Sequence, residues 1–250
     1  MKKALALTAL SAALFASFPA VGADAPAAEP VAAAPAKPAV KPFSSPMIDA
    51  LTALGTELKA AMGTGKGNPI PHLDKLAAHQ YSPATVEKLR KVFGTAEPLQ
   101  IKRSDAVPGM VGYTISAPAH SYTDPENGST VAWEDLKLDM TLDKQGRDLT
   151  SIGSWPSVSI SSKDVTVTAS GMTMQSKQHR TAQDLWLGKM QAGIDTIAAG
   201  PGGKGVLFEG FSVTAAATQR GTGVDFAYDT RIKSIKADTV QIDDVQCQPR

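Results

Sequence analysis

The chain has 250 residues with 25 basic and 24 acidic side chains, a formal net charge of +1. That balance offers no basic footprint for nucleic-acid phosphates and no polybasic cluster for an anionic membrane surface. Cys247 is the only cysteine, so no intramolecular disulfide or cysteine metal site can form, and stability must come from a packed core.

Lys2 and Lys3 precede an apolar run from Ala4 to Phe18, and Val21-Gly22-Ala23 places small residues where a signal peptidase reads. Residues 1–23 are read as a secretory signal cleaved after Ala23. The run is shorter than the roughly 20 residues a spanning helix needs. No later segment is apolar enough to cross a bilayer, and no cysteine stands near the cleavage site for a lipid anchor. The lysine-led form is bacterial in style, which makes the destination periplasmic or secreted. Residues 24–46 follow as an Ala/Pro-rich linker, too poor in apolar surface to fold and kept extended by its prolines.

Residues 47–98 read as a helical region. Ile48, Leu51, Leu54, Leu58 and Met62 recur at helical spacing after Ser45-Pro46, and Gly63 stops them. A second helix runs from Pro83 to Phe93, capped by Ser82 and ended by Gly94. Residues 71–79 supply a short helical turn.

Residues 99–250 form a β-rich region, one folded unit with 47–98. Leu136, Leu138, Met140 and Leu142 alternate with polar residues, as do Val165, Val167 and Ala169. Later alternating segments centre on Met190–Ile194, Phe211–Ala215, Val224–Tyr228 and Val240–Ile242. Short turns such as Lys144-Gln145-Gly146 and Gly200-Pro201-Gly202-Gly203 separate them, which favours antiparallel pairing. A pattern also repeats. Ser170-Gly171-Met172 returns as Glu209-Gly210-Phe211, and Ile194-Asp195-Thr196-Ile197 as Ile232-Lys233-Ser234-Ile235. Each unit is expected to hold two strands. The fold expected is α+β: two N-terminal helices, then a long twisted antiparallel β-meander of repeated two-strand units.

Those motifs carry a resemblance. The units around Gly171 and Gly210, the Leu185-Trp186-Leu187-Gly188 segment before Met190, and Ile232-Lys233-Ser234-Ile235 resemble the YdgA-like family of exported bacterial proteins. The resemblance covers Val165 to Val245 well and Gly112 to Ser162 loosely. It implies a β-rich envelope protein with no established activity and no catalytic residues to carry over.

Chemistry is sparse in the residues themselves. Gly63-Thr64-Gly65-Lys66-Gly67 lacks the first glycine and the following hydroxyl of a phosphate loop, and reads as an interhelical turn. Ser212 lacks the second glycine of a nucleophile elbow. Asp124-Pro125-Glu126-Asn127-Gly128 reads as a surface turn rather than a calcium loop. Asp135, Asp139 and Asp143 share a strand face that reads as the wet side of a sheet. None of His72, His79, His120 and His179 has zinc-enzyme spacing.

No catalytic residue, metal site or cofactor is therefore assigned. The expected surface for an apolar ligand or partner is Leu185, Trp186, Leu187, Met190 and Phe211, with Trp186 facing away from the two leucines. The leading expectation is a non-catalytic cell-envelope protein that binds a protein partner or forms a homo-oligomer. One alternative is a periplasmic carrier of a lipid or other apolar ligand on a curved sheet. Another is an envelope hydrolase that gathers His120, His179 or Asp124 on loops.

Overall fold

The computed structural model describes residues 45–63, 67–105, 107–221 and 223–247, with the backbone alone at Cys247. The leader 1–23, the linker up to residue 44 and the Cys247 thiol lie outside the described residues.

Helix α1 spans Pro46–Met62. Ser45 holds an extended backbone, and its Oγ accepts from the Ile48 N–H at 3.3 Å, satisfying one of the free donors at the helix start. Asp49 in the first turn and Lys59 in the last complement the helix dipole. Helix α3, Pro83–Phe93, is capped in the same way by Ser82 and ends at left-handed Gly94. Between them stands a third helix, α2, over Ile70–Ala77, where the sequence suggested only a turn and hence two helices in all. Eight residues are too few for a stable isolated helix. Packing of Ile70 and Leu73 onto the sheet supplies what local propensity lacks.

The strands are β1 (Gln100–Ser104), β2 (Met110–Ala117), β3 (His120–Thr123), β4 (Thr130–Trp133), β5 (Leu136–Asp143), β6 (Asp148–Ser161), β7 (Thr166–Arg180), β8 (Trp186–Gly200), β9 (Val206–Arg220), β10 (Gly223–Ala237) and β11 (Val240–Cys247). They form one 11-stranded antiparallel sheet in the order β1-β2-β5-β6-β7-β8-β9-β10-β11. The meander is interrupted once, by the β3–β4 hairpin. Strand β6 is long enough to pair β5 along its first half (Leu142↔Leu149) and β4 along its second (Trp133↔Val158).

A transverse crease crosses β6 to β11. Pro156, Gly171, Asp195, Gly210, Lys233 and Asp244 fall opposite one another, between regular pairs such as Ile194↔Phe211 and Thr196↔Glu209. Gly171, Gly210 and Asp244 hold left-handed backbones, with φ of 65°, 63° and 54°. Side-chain phase shifts by one residue at this row. In β6 the buried positions are Leu149 and Ser151 before it and Val158 after it; in β7 they are Ala169 before it and Ser176 after it. Glycine is required twice. A Cβ on Gly171 would stand 2.1 Å from Asp195 Oδ2, and one on Gly210 would stand 2.8 Å from Lys233 Cβ. The repeat seen in the sequence is this crease.

The core has two parts. Met47, Ala50, Leu89, Val92 and Phe93 of α1 and α3 pack on Tyr122, Val131 and Trp133 of the hairpin. Ile70 and Leu73 of α2 close over Val111, Tyr113, Leu142 and Leu149, beside Met140 and Trp186. Tyr113 Oη donates to Asp74 Oδ1 at 2.7 Å, and Arg103 Nη1 donates to Asp74 Oδ2 at 2.6 Å, locking α2 to β1 and β2. Burial and the Asp74 carboxylate push the Tyr113 phenol well above its usual range. Since α1 and α2 touch, the two apolar sets meet one helix layer. The phase shift at the crease thus keeps a single apolar face along the full length of each strand.

Candidate functional site

The helix layer does not reach across the sheet. Among the described residues every buried hydrophobic side chain lies at or before Ala169, and from β8 to the end the only buried residue is Ser234. Yet β8 to β11 keep their apolar rows. Met190, Ala215 and Tyr228 stand side by side, then Ala192, Val213 and Thr230, then Ile194, Phe211 and Ile232. Past the crease come Ile197, Phe208, Ile235 and Ile242, then Ala199, Val206, Ala237 and Val240. Phe226, Tyr228, Val240 and Ile242 are 60%, 52%, 58% and 50% exposed. They stand in two pairs, Phe226 and Tyr228 on one side of the crease and Val240 and Ile242 on the other, linked by the half-buried Ile232 and Ile235, and such clustering marks a contact surface more strongly than single exposed residues do.

Of the five residues singled out in sequence, three share this face. Trp186 and Met190 are in phase on β8, and Phe211 is in phase with them through the Ile194 pairing. Trp186 also touches the α2 cluster, at the border of the covered region. Leu187 pairs with His179 on the opposite face, and Leu185 lies in the turn before β8, its N–H donating to Thr181 Oγ1 at 3.2 Å. In the sequence Phe226, Tyr228, Val240 and Ile242 stand out only as alternating strand residues. Their signal was positional, because they belong to the strands farthest along the meander from the helices.

The polar candidates have separate structural duties. His120 Nε2 is hydrogen-bonded to the Val92 carbonyl at 2.8 Å and its ring packs between Phe93 and Trp133. His179 Nδ1 pairs with Asp148 Oδ1 at 2.7 Å. Asp124 is buried, and its Oδ1 accepts from Glu126 N–H in the turn between β3 and β4. These three residues make no contact with one another. Asp135 accepts from the Ala119 N–H and Asp143 from the Arg147 and Asp148 N–H groups. Asp139 takes hydrogen bonds from Lys137 and Thr114, which hold its carboxyl below the usual range. Among the described residues no three His, Cys, Asp or Glu side chains stand together as metal ligands. Ser212 sits in mid-strand between Gly193 and Arg231.

One carboxylate does meet a serine and a histidine. Glu57 on α1 accepts from the Ser82 N–H and hydroxyl and lies 3.3 Å from His79 Nε2. The hydroxyls of Ser82 and Thr85 pull its carboxyl down to about 2. The Ser82 hydroxyl donates to this carboxylate and accepts from the Thr85 N–H, and a carboxyl held at about 2 is too weak a base to activate it as a nucleophile. The cluster ties the start of α3 to α1. A shallow cleft of about 450 Å³ opens at the end of β7, lined by Gly67, Arg147, His179, Arg180 and Asp184. Gly67 N–H donates to Asp184 Oδ2 and Arg180 Nη1 to Asp184 Oδ1, both at 2.8 Å, so Arg180 and Asp184 answer each other within the cleft. Residues 64–66 of the glycine-rich turn lie outside the described residues.

A family model described as "Bacterial protein of unknown function (DUF945)" matches residues 62–248. No curated protein and no solved structure matches the chain.

Proposed function

The chain belongs to that family of bacterial proteins of unknown function, and from that premise we propose that it is an exported, YdgA-like cell-envelope protein that acts without catalysis, by binding a protein or assembling with one. The observation that carries this reading is the apolar face of β8–β11, which holds no buried hydrophobic side chain among the described residues. Apolar surface left in water is unfavourable by about 25 cal/mol per Å², so covering it favours docking, less the ordering cost of association. Export rests on the lysine-led apolar leader ending at Ala23. The separate contacts of His120, His179 and Asp124 give a hydrolase reading no support.

Photo-crosslinking tests this. A crosslinking residue placed at Tyr228 or Ile242 of the exported chain should give a discrete adduct in intact cells, and the same residue at Lys137 on the polar face should not. A chain that yields no adduct from either apolar position and runs as a monomer at high concentration would sink the proposal. A second reading, carriage of a lipid or other apolar ligand, draws on the same rows of Met190, Ile194 and Phe211. Native mass spectrometry of the protein from its own envelope decides between them: a co-purifying apolar mass favours the carrier.

A further inference from the structure

We propose that the apolar face of β8–β11 docks face to face with the same face of a second copy of this chain, β10 of each copy lying over β9 of the other. The inference rests on the assembly reading above and names its partner.

Charge sets the kind of partner. Among the described residues outside the crease, every β8–β11 position in phase with Met190 and Phe211 is uncharged. The opposite face carries Lys189, Glu209, Arg220, Asp225, Arg231 and Lys236. A one-sided antiparallel sheet keeps its charges in water and turns its other face to a core. A partner that brought a charge to the uncharged face would bury it unpaired, at a large desolvation cost. A second copy brings none.

Area agrees. Strand residues rise about 3.3 Å and strands lie about 4.8 Å apart, so each residue covers roughly 16 Å² of sheet. Three strands of 15 residues and one of 8 then offer roughly 800 Å², about what each partner contributes to a stable interface. Val240 stands at one corner of this face, on the last strand and next to its turn, so it lies on the rim, where truncation costs little.

The helices select the symmetry. They cover the same face of β2–β6 and stop at Trp186. A two-fold axis running across the strands would drive one helix layer into the other. An axis along the strands, between β9 and β10, sets β8 over β11 and carries each helix layer past the other copy's last strand. Stacked sheets lie about 10 Å apart, close to the 10–12 Å thickness of a helix. The second sheet therefore continues the layer that α1–α3 begin.

Side-chain size fits that axis. Within one copy Tyr228 stands beside Ala215, and Phe226 beside Ala217. Exchanging β9 with β10 across the axis puts Tyr228 over Ala215 of the other copy and Phe226 over Ala217. Exposed aromatic rings thus fill the low places left by alanines, as interdigitating layers require. The contact is isologous and closes at two copies.

The test uses the full exported chain. Sedimentation across a wide concentration range should show a dimer that dissociates on dilution. Phe226→Asp should weaken it at least tenfold, because the symmetry buries the new charge twice. Phe226 is exposed in the single chain, so circular dichroism should stay unchanged. Ala217→Trp, which fills the place of that ring, should also weaken the dimer, and Lys189→Asp on the opposite face should not. A photo-crosslinking residue at Phe226, in a mixture of light- and heavy-nitrogen chains, should join peptides of mixed label, with the far end in β9 near Ala217. A monomer at every concentration overturns the proposal. So does a dimer that survives Phe226→Asp, or one whose Phe226 crosslinks stay within a single chain. A monomer that carries a co-purifying lipid replaces self-docking with the carrier reading. A monomer that gives an adduct with another envelope protein overturns self-docking and leaves the assembly reading standing. A monomer with neither takes both.

Discussion

Leu142 and Ile242 stand in strands with the same alternation, one with no exposed surface and the other half exposed. The first lies under α2; the second lies in the part of the sheet that none of the described helices covers. Alternation specifies which face of a strand is apolar, and a separate element decides whether that face leaves water. The strands β2 to β6 therefore form a core in the ordinary sense. The strands β8 to β11 hold together through backbone ladders and neighbouring side-chain pairs, with their apolar rows still available.

Truncation in the two regions sharpens this contrast most. Leu142→Ala or Leu89→Ala should cost about 2–5 kcal/mol in urea denaturation, because each empties a fully buried site. Val240→Ala, at an exposed site, should change stability by about 0.5 kcal/mol or less. A Val240→Ala cost equal to that of Leu142→Ala would break the comparison and mean that the open face is covered in solution.

The crease belongs to both regions. Gly171→Ala should cost about 1–3 kcal/mol, from the left-handed backbone and the clash with Asp195. Adding Asp195→Ala should restore the part due to the carboxylate and leave the backbone part, a non-additivity that a double-mutant cycle measures. Next in size is the Ser151–Ser176 pair, two buried hydroxyls 2.7 Å apart across β6 and β7. Ser151→Ala strands the other hydroxyl and should cost about 1–2 kcal/mol, whereas replacing both serines by alanine should be close to neutral.

The smallest effect is electrostatic and confined to the helices. Glu57 has its carboxyl lowered to about 2 in the fold, from 4.5 when unperturbed. Its contribution is fully present above about pH 4.5 and is lost as pH falls toward 2. Glu57→Gln should flatten the stability profile in that window and leave the β8–β11 region unaffected, as hydrogen exchange would report.

Local chemistry was legible in the sequence. Ser45, Ser82, Gly63 and Gly94 mark the helix ends because capping involves residues within one turn. Period-two alternation located most strands for the same reason. Helix α2 was harder to see, since its stability comes from Val111, Tyr113 and Leu142 far along the chain. The side pairing of β4 with β6 depends on strand length and not on any motif. The glycine repeat was visible, but its purpose emerges only when six strands place their reversals in one row. The patch around Trp186 was visible as composition. That Leu187 faces His179 while Phe226 and Tyr228 stay open depends on register and on where the helices fall.

The row of reversals also bears on how such a sheet lengthens. Gly171 on β7 and Gly210 on β9 lie at the same height, and the two turns and strand β8 between them bring the chain back to that height. Copying that unit inserts two strands whose inward and outward positions already agree with their neighbours. A sheet of this kind can therefore widen by whole duplicated two-strand units while its apolar face stays in phase.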